Sequence, residues 1–254
     1  MQRLTVRRVG TVFAVTPALR DEMARIRGPN APSWRSTASN APASTMCPRV
    51  SRRAVRSARW RGDAFIVGCI GVDGVNTLMA ALALAWAQPG GFQASLALIG
   101  VPEVAVLRQE WLKLGLSPEL FLSVGTVPVS DIPLHLSACD VCVLPLPRTE
   151  HNTFYASPLR LFEYMASRRA LIASDLPAWD SVLTDGEHAL LVGASDAREL
   201  AEALTRLYGD PLLRQTLADS AHTHVMQHYA WDVRAEAILK KLFPKKPSDN
   251  SKTA

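Results

Sequence analysis

From residue 64 onward the chain alternates short, largely apolar runs with longer segments of helical pattern. A run of roughly four to eight apolar residues between helices is typical of a strand that is buried on both faces. Strands of this kind favour a parallel sheet covered by helices on both sides. The pattern predicts an α/β domain with a doubly wound, Rossmann-like parallel sheet, whose ligand lies outside the carboxyl ends of the strands. The predicted strands are AFIVGCI, ASLALIG, FLSVG, DVCVLPL, ALIAS and HALLV.

Helices are predicted between these strands and after the last of them. Because no apolar run follows HALLV, the final helices form a helical C-terminal tail. A loop is expected between DVCVLPL and the next helix, to about residue 156. The predicted helices lie near 75–87, 103–114, 130–138, 158–166 and 178–183, and those of the tail begin near 196, 210 and 231.

The chain before residue 63 has a different composition. Residues 9–27 predict one strand and one helix, with Thr16 as the N-cap and Pro17 at the first helical position. Residues 28–62 are poor in aliphatic residues and rich in Ser, Ala, Pro and Arg, which predicts a basic linker or a disordered segment. The expected boundaries are therefore 1–27 for the strand and helix, 28–62 for the linker, 63–243 for the folded domain and 244–254 for a disordered tail.

The net charge of +5 is local, because arginines crowd the first 61 residues. Such a stretch can contact nucleic acid or anionic lipid, and a solvated or disordered arm is the alternative. No aromatic stacking platform and no RNA- or DNA-binding motif accompanies it, so no specific nucleic-acid partner is expected. The arginines are Arg3, Arg7, Arg8, Arg49, Arg52, Arg53, Arg56, Arg59 and Arg61.

Cysteine spacing and hydropathy exclude several classes of protein. Cys139 and Cys142 form a CxxC pair that precedes a strand instead of opening a helix, so we expect reduced core thiols and no metal site. The longest apolar helical run, Leu78 to Ala87, is half of a membrane span, and the N-terminus has no apolar signal core. A soluble, cytoplasmic protein without a transmembrane segment is expected, with peripheral attachment at the inner membrane left open.

The segment SPLRLFEYMA carries the clearest chemical signal. Ser157 is a good N-cap and Pro158 a good first helical residue. The free amides of Leu159 and Arg160, with the helix dipole, predict an anion site at the strand ends. Glu163 lies one to two turns into the helix, where its carboxylate can accept hydrogen bonds from vicinal sugar hydroxyls. Phosphate at the helix tip with ribose beside it indicates a nucleoside diphosphate, while a purely structural cap with Glu163 on a solvated face is the alternative.

Several segments, in order, resemble one known family. SPLRLFEYMA followed by ALIASDLPAWDSVLTDGEHALLV is similar to the nucleotide-binding domain of retaining glycosyltransferases of GT-B fold (glycosyl transferases group 1, family 4). VGTVPVSDIPLHLSACDVCVLPL and SDARELAEALTRLYGDPLLRQTLADSA resemble the base-site region and the helical tail of that domain. The resemblance covers roughly 64–243. Residues 9–27 resemble the last strand and helix of the family's acceptor-side domain, which makes residues 1–27 a remnant of that domain.

The resemblance implies a role for particular residues. Glu163 would hold the ribose of a nucleotide-sugar donor, and the amides around Leu159 would hold the distal phosphate. The backbone near Val127 and Pro128 would contact the base. Tyr155 stands where many members of the family have a second glutamate that faces the sugar.

The chain also departs from the family pattern. The loop IGVDGVNT has neither the Arg nor the Lys that the family uses for the diphosphate, and its Asp73 would repel one. Arg160 and Arg148 are the nearby replacements. The acceptor-side domain, with its catalytic histidine, has no match beyond residues 9–27, so the catalytic residue stays unknown.

Three hypotheses follow from the sequence. The first is a glycosyltransferase domain that binds a nucleoside-diphosphate sugar for retaining transfer, using neither metal nor cofactor, with a complementary acceptor-side domain or chain as partner. The second is a truncated, non-catalytic remnant that binds nucleotide weakly or acts only with a partner. The third is a basic protein that binds nucleic acid or an acidic surface.

Overall fold

The structure, a computed structural model, describes residues 13–14, 35–36, 64–156 and 159–243. Its main sheet has six strands in the order β5-β4-β3-β6-β7-β8, and every neighbouring pair is parallel. The strands are β1 (Phe13–Ala14), β2 (Arg35–Ser36), β3 (Phe65–Ile70), β4 (Ala94–Ile99), β5 (Phe121–Gly125), β6 (Val141–Leu144), β7 (Ala170–Ser174) and β8 (Leu190–Val192).

Helices separate the strands of this sheet up to β7, and further helices follow β8. The predicted doubly wound α/β fold with a helical C-terminal region is confirmed, because the chain winds from β3 to β5 in one direction and from β6 to β8 in the other. The α-helices of the described residues are α1 (Val75–Ala87), α2 (Ala105–Lys113), α3 (Ile132–Ala138), α4 (Leu159–Ala166), α5 (Ala197–Gly209), α6 (Pro211–His228) and α7 (Trp231–Leu242).

The sheet is buried on both faces, which explains its nearly continuous apolar runs. All residues of β4, β6 and β7 are buried. Successive side chains of a strand point to opposite faces, and so Phe65 and Val67 of β3 join a core cluster with α1 and α5. Ile66, between them, joins a second cluster with α4 and α6. Each face of the sheet therefore has its own hydrophobic core.

The structure differs from the sequence prediction in three short elements. Strand β6 ends at Leu144, before Pro145 and Pro147, because proline has no N–H to donate to a sheet ladder. The expected loop before residue 156 contains a π-helical turn, His151–Tyr155. The helix expected near 178–183 is only a 3₁₀ turn, Pro177–Trp179.

Most of the chain before residue 64 lies outside the described residues, including nearly all of the strand and helix predicted at 9–27. The two short strands that are described before residue 64, β1 and β2, pair in parallel. Arg35–Ser36 therefore form a short strand inside the segment 28–62 that the sequence predicts as a linker or disordered. The predicted tail 244–254 is also outside the described residues. Among the residues that are described, no helix is long and apolar enough to cross a membrane.

Burial explains the chemistry of two core cysteines. Cys69 of β3 and Cys142 of β6 are fully buried and unpaired, as the sequence predicts for reduced core thiols. Burial raises the pKa of each thiol to about 12. Since the thiolate is the nucleophile and the metal ligand, neither side chain is suited to either role. Across 64–156 and 159–243, no group of three His, Cys, Asp or Glu side chains is arranged to hold a metal ion.

Candidate functional site

Strands β3 and β6 separate towards their carboxyl ends, at the point where the strand order reverses. Their register pairs Val67 with Val141 and Gly68 with Cys142 and then stops. The backbone of Ile70, further along β3, is satisfied by side chains instead of by β6. Its N–H donates to Tyr164 Oη at 2.7 Å. This divergence opens the crevice in which doubly wound folds bind ligands.

Helix α4 supplies both partners of Ile70. Arg160 Nη1 donates to the Ile70 carbonyl at 2.7 Å, while Tyr164 accepts from the amide. Arg160 and Tyr164 are four residues apart and so lie on one face of the helix. Tyr164 is fully buried, and burial raises its pKa well above the usual range, so the hydroxyl stays protonated. The sequence indicated a role for Arg160 but not for Tyr164, whose only signal is its i+4 spacing from Arg160.

Tyr164→Phe should lower the free energy of unfolding by about 1–3 kcal/mol, because it leaves the Ile70 amide without an acceptor next to the core. Tyr208→Phe is the matched control, since the Tyr208 ring stacks on Phe92 and is exposed at 46%. Urea denaturation of both variants measures the difference. Equal stability of the two variants would contradict the role given to the Tyr164 hydroxyl.

Arg160 also neutralises the acidic residue of the neighbouring loop. Its Nη2 lies 2.7 Å from Asp73 Oδ2, in a pair whose side chains are exposed at 25% for Arg160 and 57% for Asp73. The repulsion of a diphosphate expected from Asp73 is therefore reduced. Two hydrogen bonds occupy only part of a guanidinium group, which has five N–H donors. Arg160 keeps donors for an anion.

The loops after β3 and β6 touch each other through Gly74. This residue has φ of 73°, in the left-handed region, and precedes the first turn of α1. A Cβ at this position would lie 1.6 Å from the Pro145 carbonyl oxygen. No side chain caps α1, and its first turn contains no acidic residue. The N-terminus of α1 therefore lies at the same edge of the sheet as the N-terminus of α4, with free amides that can bind an anion. In the sequence, the only sign of this is a glycine between an apolar run and a predicted helix.

Glu163 stands between the anchoring residues of α4. Its side chain is half-buried, and burial raises its pKa while the Arg160 charge lowers it. No donor in the described part of the chain makes a hydrogen bond to its carboxylate. A partly desolvated carboxylate without hydrogen bonds is unfavourable. The alternative given by the sequence, a helix face with Glu163 in solvent, does not describe a side chain that is half-buried.

The other predicted contact residues follow the carboxyl ends of β5 and β6 or begin α4. Leu159 opens α4 and is exposed at 47%. Arg148 is exposed, and its Nη2 lies 3.4 Å from the Asp175 carbonyl oxygen, beyond β7. Tyr155 ends the π-helical turn and is half-buried. Ser157, the predicted cap, lies outside the described residues.

The predicted base-site residues lie beyond β5. Val127 is half-buried and packs against the core cluster of α4 and α6, while Pro128 is exposed. The Pro128 carbonyl accepts a hydrogen bond from the Asp131 amide at 2.9 Å. Proline has no N–H, so the backbone of Pro128 offers only its carbonyl oxygen to a ligand. Parallel strands place this loop at the same sheet edge as Glu163 and Arg160.

The fold and this edge define a class of protein, a doubly wound α/β domain with its candidate ligand site at the topological switch point. The family model described as glycosyl transferases group 1 matches residues 63–210, more than half of the chain. The chain belongs to this family, and the resemblance inferred from the sequence is confirmed.

Curated relatives of this chain are mannosyltransferases. The chain is 33% identical over 132 residues to the lipopolysaccharide core biosynthesis mannosyltransferase LpcC of Rhizobium leguminosarum bv. viciae, a match that covers 52% of this chain and 35% of that protein. It is 39% identical over 80 residues to the phosphatidyl-myo-inositol mannosyltransferase of Mycobacterium leprae, covering 32% of this chain and 21% of the relative. The chain thus spans about a third or less of the length of these relatives.

Solved structures share the fold. Sucrose-phosphate synthase from Thermosynechococcus elongatus aligns with a TM-score of 0.75 at 24% identity, over 95% of this chain and 60% of the other. Anabaena HepE in complex with UDP aligns with a TM-score of 0.77 at 20% identity, over 94% and 65%. The C-terminal domain of LpcC from Francisella tularensis aligns with a TM-score of 0.61 at 20% identity, over 76% of this chain and all of that domain. These likenesses support the Rossmann-like half of a GT-B fold.

Proposed function

We propose that this chain binds a nucleoside-diphosphate sugar at the carboxyl edge of its sheet and serves as the sugar-donor domain of a retaining glycosyltransferase. The observation that carries the proposal is Glu163, a half-buried carboxylate with a raised pKa and no hydrogen-bond donor among the described residues. Ribose offers two vicinal hydroxyl groups as donors. Their hydrogen bonds would offset the desolvation of the carboxylate.

The phosphates are proposed to lie between Glu163 and the strand ends. The first amides of α4, near Leu159, and the uncapped N-terminus of α1 each favour an anion. Arg160 adds a positive charge beside the same crevice. The base would then contact the loop at Val127 and Pro128, as in the family this chain resembles. The HepE structure, which shares this fold, is a complex with UDP, and this supports a nucleotide as the ligand of this chain.

Retention at the anomeric carbon is inferred from the family resemblance. In this proposal the chain's own residues bind and orient the sugar donor, while acceptor binding belongs to a complementary domain or chain. Tyr155 and Arg148 are proposed to border the sugar and the distal phosphate. No cofactor or metal is proposed, since helix amides and arginine supply the positive field that the leaving diphosphate needs.

A second candidate function is nucleotide binding without sugar transfer. It is favoured by the loop 71–74, which contains no Arg or Lys, and by the ion pair that ties Arg160 to Asp73. Both features weaken the field available to a leaving diphosphate. Turnover distinguishes the two candidates, because only the first predicts transfer when an acceptor-side domain is supplied.

The ion pair allows a prediction about phosphate binding. Asp73→Asn should tighten binding of nucleoside diphosphates about three- to tenfold, because it removes a negative charge and frees one arm of Arg160. Arg160→Ala should weaken diphosphate binding more than nucleoside binding. The effects are moderate because Asp73 is exposed and its charge is screened. Calorimetric titration with UDP and with uridine measures both, and weaker UDP binding by Asp73→Asn would contradict the proposed phosphate position.

The proposed function is tested by titrating the full chain with UDP-, GDP- and ADP-sugars, followed by transfer assays with an added acceptor-side domain. Binding of at least one nucleotide sugar, competed by its nucleoside diphosphate, is expected. Absence of binding to all three at millimolar concentration would overturn the proposal. Binding without any transfer would leave the second candidate.

A further inference from the structure

A polar cavity of about 180 Å³ lies at the opposite edge of the sheet from the proposed nucleotide site. It is bordered by Ala170, the first residue of β7, and by Asp140, just before β6. Five residues of β7, at roughly 3.3 Å each, separate it from the carboxyl edge. A ligand here would therefore not contact Glu163. Three arginines also line the cavity, Arg168, Arg169 and Arg214.

Arg169 has an unmet hydrogen-bond donor. Its Nε is buried and has no hydrogen-bond partner among the described residues. A buried donor of a charged group without an acceptor is costly. An oxyanion in the cavity would lie against the same guanidinium group and offset its partly buried charge.

Arg168 adds conformational strain to the same place. It has φ of 54°, in the left-handed region that favours glycine, at the turn between α4 and β7. Non-glycine residues in this region cost of order 1–3 kcal/mol and cluster at ligand sites. The turn thereby brings two consecutive arginines, Arg168 and Arg169, to one cavity.

Arg214 is held in position by the end of α5 and by Phe65. Its Nη1 donates to the carbonyl oxygens of Leu207 and Tyr208, at the end of α5. Its guanidinium lies 5.3 Å from the centroid of the Phe65 ring. These contacts fix the charge without neutralising it, because carbonyl oxygens and an aromatic ring carry no net charge.

One carboxylate, Asp140, lines the cavity together with three arginines, so the lining has a net positive charge. Asp140 also accepts a hydrogen bond from the Ile66 amide at 2.9 Å. Gln215, also at the cavity, donates to Asp219 at 2.8 Å. Like charges held together favour binding of an opposite charge. The residues that line the cavity thus have a net positive charge, and one of them, Arg169, has a buried Nε without a hydrogen-bond partner among the described residues.

We infer that this cavity, lined by Arg168, Arg169 and Arg214, is a binding site for a phosphate-class oxyanion, separate from the nucleotide site. Arginine is suited to phosphate because its planar guanidinium donates two parallel hydrogen bonds. A cavity needs about 10–15 Å³ to hold one water molecule, so a volume of 180 Å³ accommodates a phosphate group. The phosphate belongs either to a soluble phosphorylated compound or to a lipid headgroup.

The test uses the full chain and two sources of phosphate. Calorimetry with inorganic phosphate at constant ionic strength probes the soluble source. Co-sedimentation with phosphatidylcholine vesicles, with and without phosphatidic acid, probes the lipid source. Arg168→Gln combined with Arg169→Gln should weaken binding tenfold or more from whichever source binds. Arg198→Gln, an exposed arginine of α5, is the matched control and should change binding less than twofold.

Three controls separate this inference from the proposed function. When saturating UDP fills the nucleotide site, phosphate should still bind, and Glu163→Ala should leave that binding unchanged. Arg168→Gln alone should weaken phosphate binding several-fold. Because the Arg168 side chain is exposed, this single variant tests the site even if the double variant does not fold. Binding from neither source, equal loss in Arg198→Gln, or loss of all phosphate binding in saturating UDP would each overturn the inference.

Discussion

Replacing Glu163 by alanine should raise the dissociation constant for a nucleoside diphosphate about ten- to hundredfold. A charge-assisted hydrogen bond to a ribose hydroxyl contributes about 1.5–3 kcal/mol, and every 1.4 kcal/mol corresponds to a factor of about ten in affinity. Glu163→Gln should lose less, because its amide oxygen still accepts a hydrogen bond. Calorimetric titration with UDP and with uridine measures the effect, and both ligands should lose affinity alike, because both contain the ribose.

The raised pKa of Glu163 gives this prediction a pH dependence. Protonation removes the charge that strengthens the hydrogen bond to ribose, so affinity should fall as the pH falls through the raised pKa of Glu163. Glu163→Gln should abolish that slope. Glu202→Ala, an exposed carboxylate of α5, should change neither affinity nor slope. If Glu163→Ala binds UDP as tightly as the wild type does, the ribose assignment is wrong and the helix has only a structural role.

Replacing Gly74 by alanine should lower the free energy of unfolding by about 2–5 kcal/mol. The left-handed backbone costs a side-chain-bearing residue about 1–2 kcal/mol, and overpacking against the Pro145 carbonyl, 1.6 Å from the new Cβ, adds about 1–3 kcal/mol. Urea denaturation measures the loss.

Gly90 is the matched control for the packing contribution. It has the same φ of 73°, but a Cβ there has no neighbour within 4 Å. Gly90→Ala should therefore show only the backbone cost of about 1–2 kcal/mol. Equal destabilisation by the two substitutions would mean that the loops after β3 and β6 move apart without cost, and that their contact does not shape the crevice.

The sequence predicts the strands of the main sheet because burial on both faces leaves a readable pattern. Strands β4 and β7, buried along their whole length, coincide with ASLALIG and ALIAS to within one residue. Strand β6 is predicted one residue too long at its start, at Asp140, and two residues too long at its end, since hydropathy does not register the missing N–H of Pro145. Hydropathy also predicts a helix near 178–183, where the structure has only the 3₁₀ turn Pro177–Trp179. Its apolar residues are buried by tertiary packing, not by a helical face.

The candidate site is predictable only where its signal is local. Glu163 and Arg160 are predicted as site residues because a helix with a start signal follows an apolar run. The contacts that join this helix to the sheet are not local, because Ile70 lies 90 residues from Arg160 and 94 from Tyr164. The pairing of Arg160 with Asp73 is invisible for the same reason. A sequence shows which charges exist, and only the fold shows which of them neutralise each other.

Helix α4 has a consequence for how sugar-donor preference can change. The same two turns close the gap beside Ile70 through Arg160 and Tyr164 and also contain Glu163. If Glu163 binds ribose as proposed, ribose recognition and the contact of α4 with β3 depend on the same helix, and a substitution that shifts α4 changes both. In the loop at 126–128, Val127 packs against the core cluster, whereas Thr126 and Pro128 are exposed. Substitutions at the two exposed positions should therefore disturb the fold less than substitutions in α4.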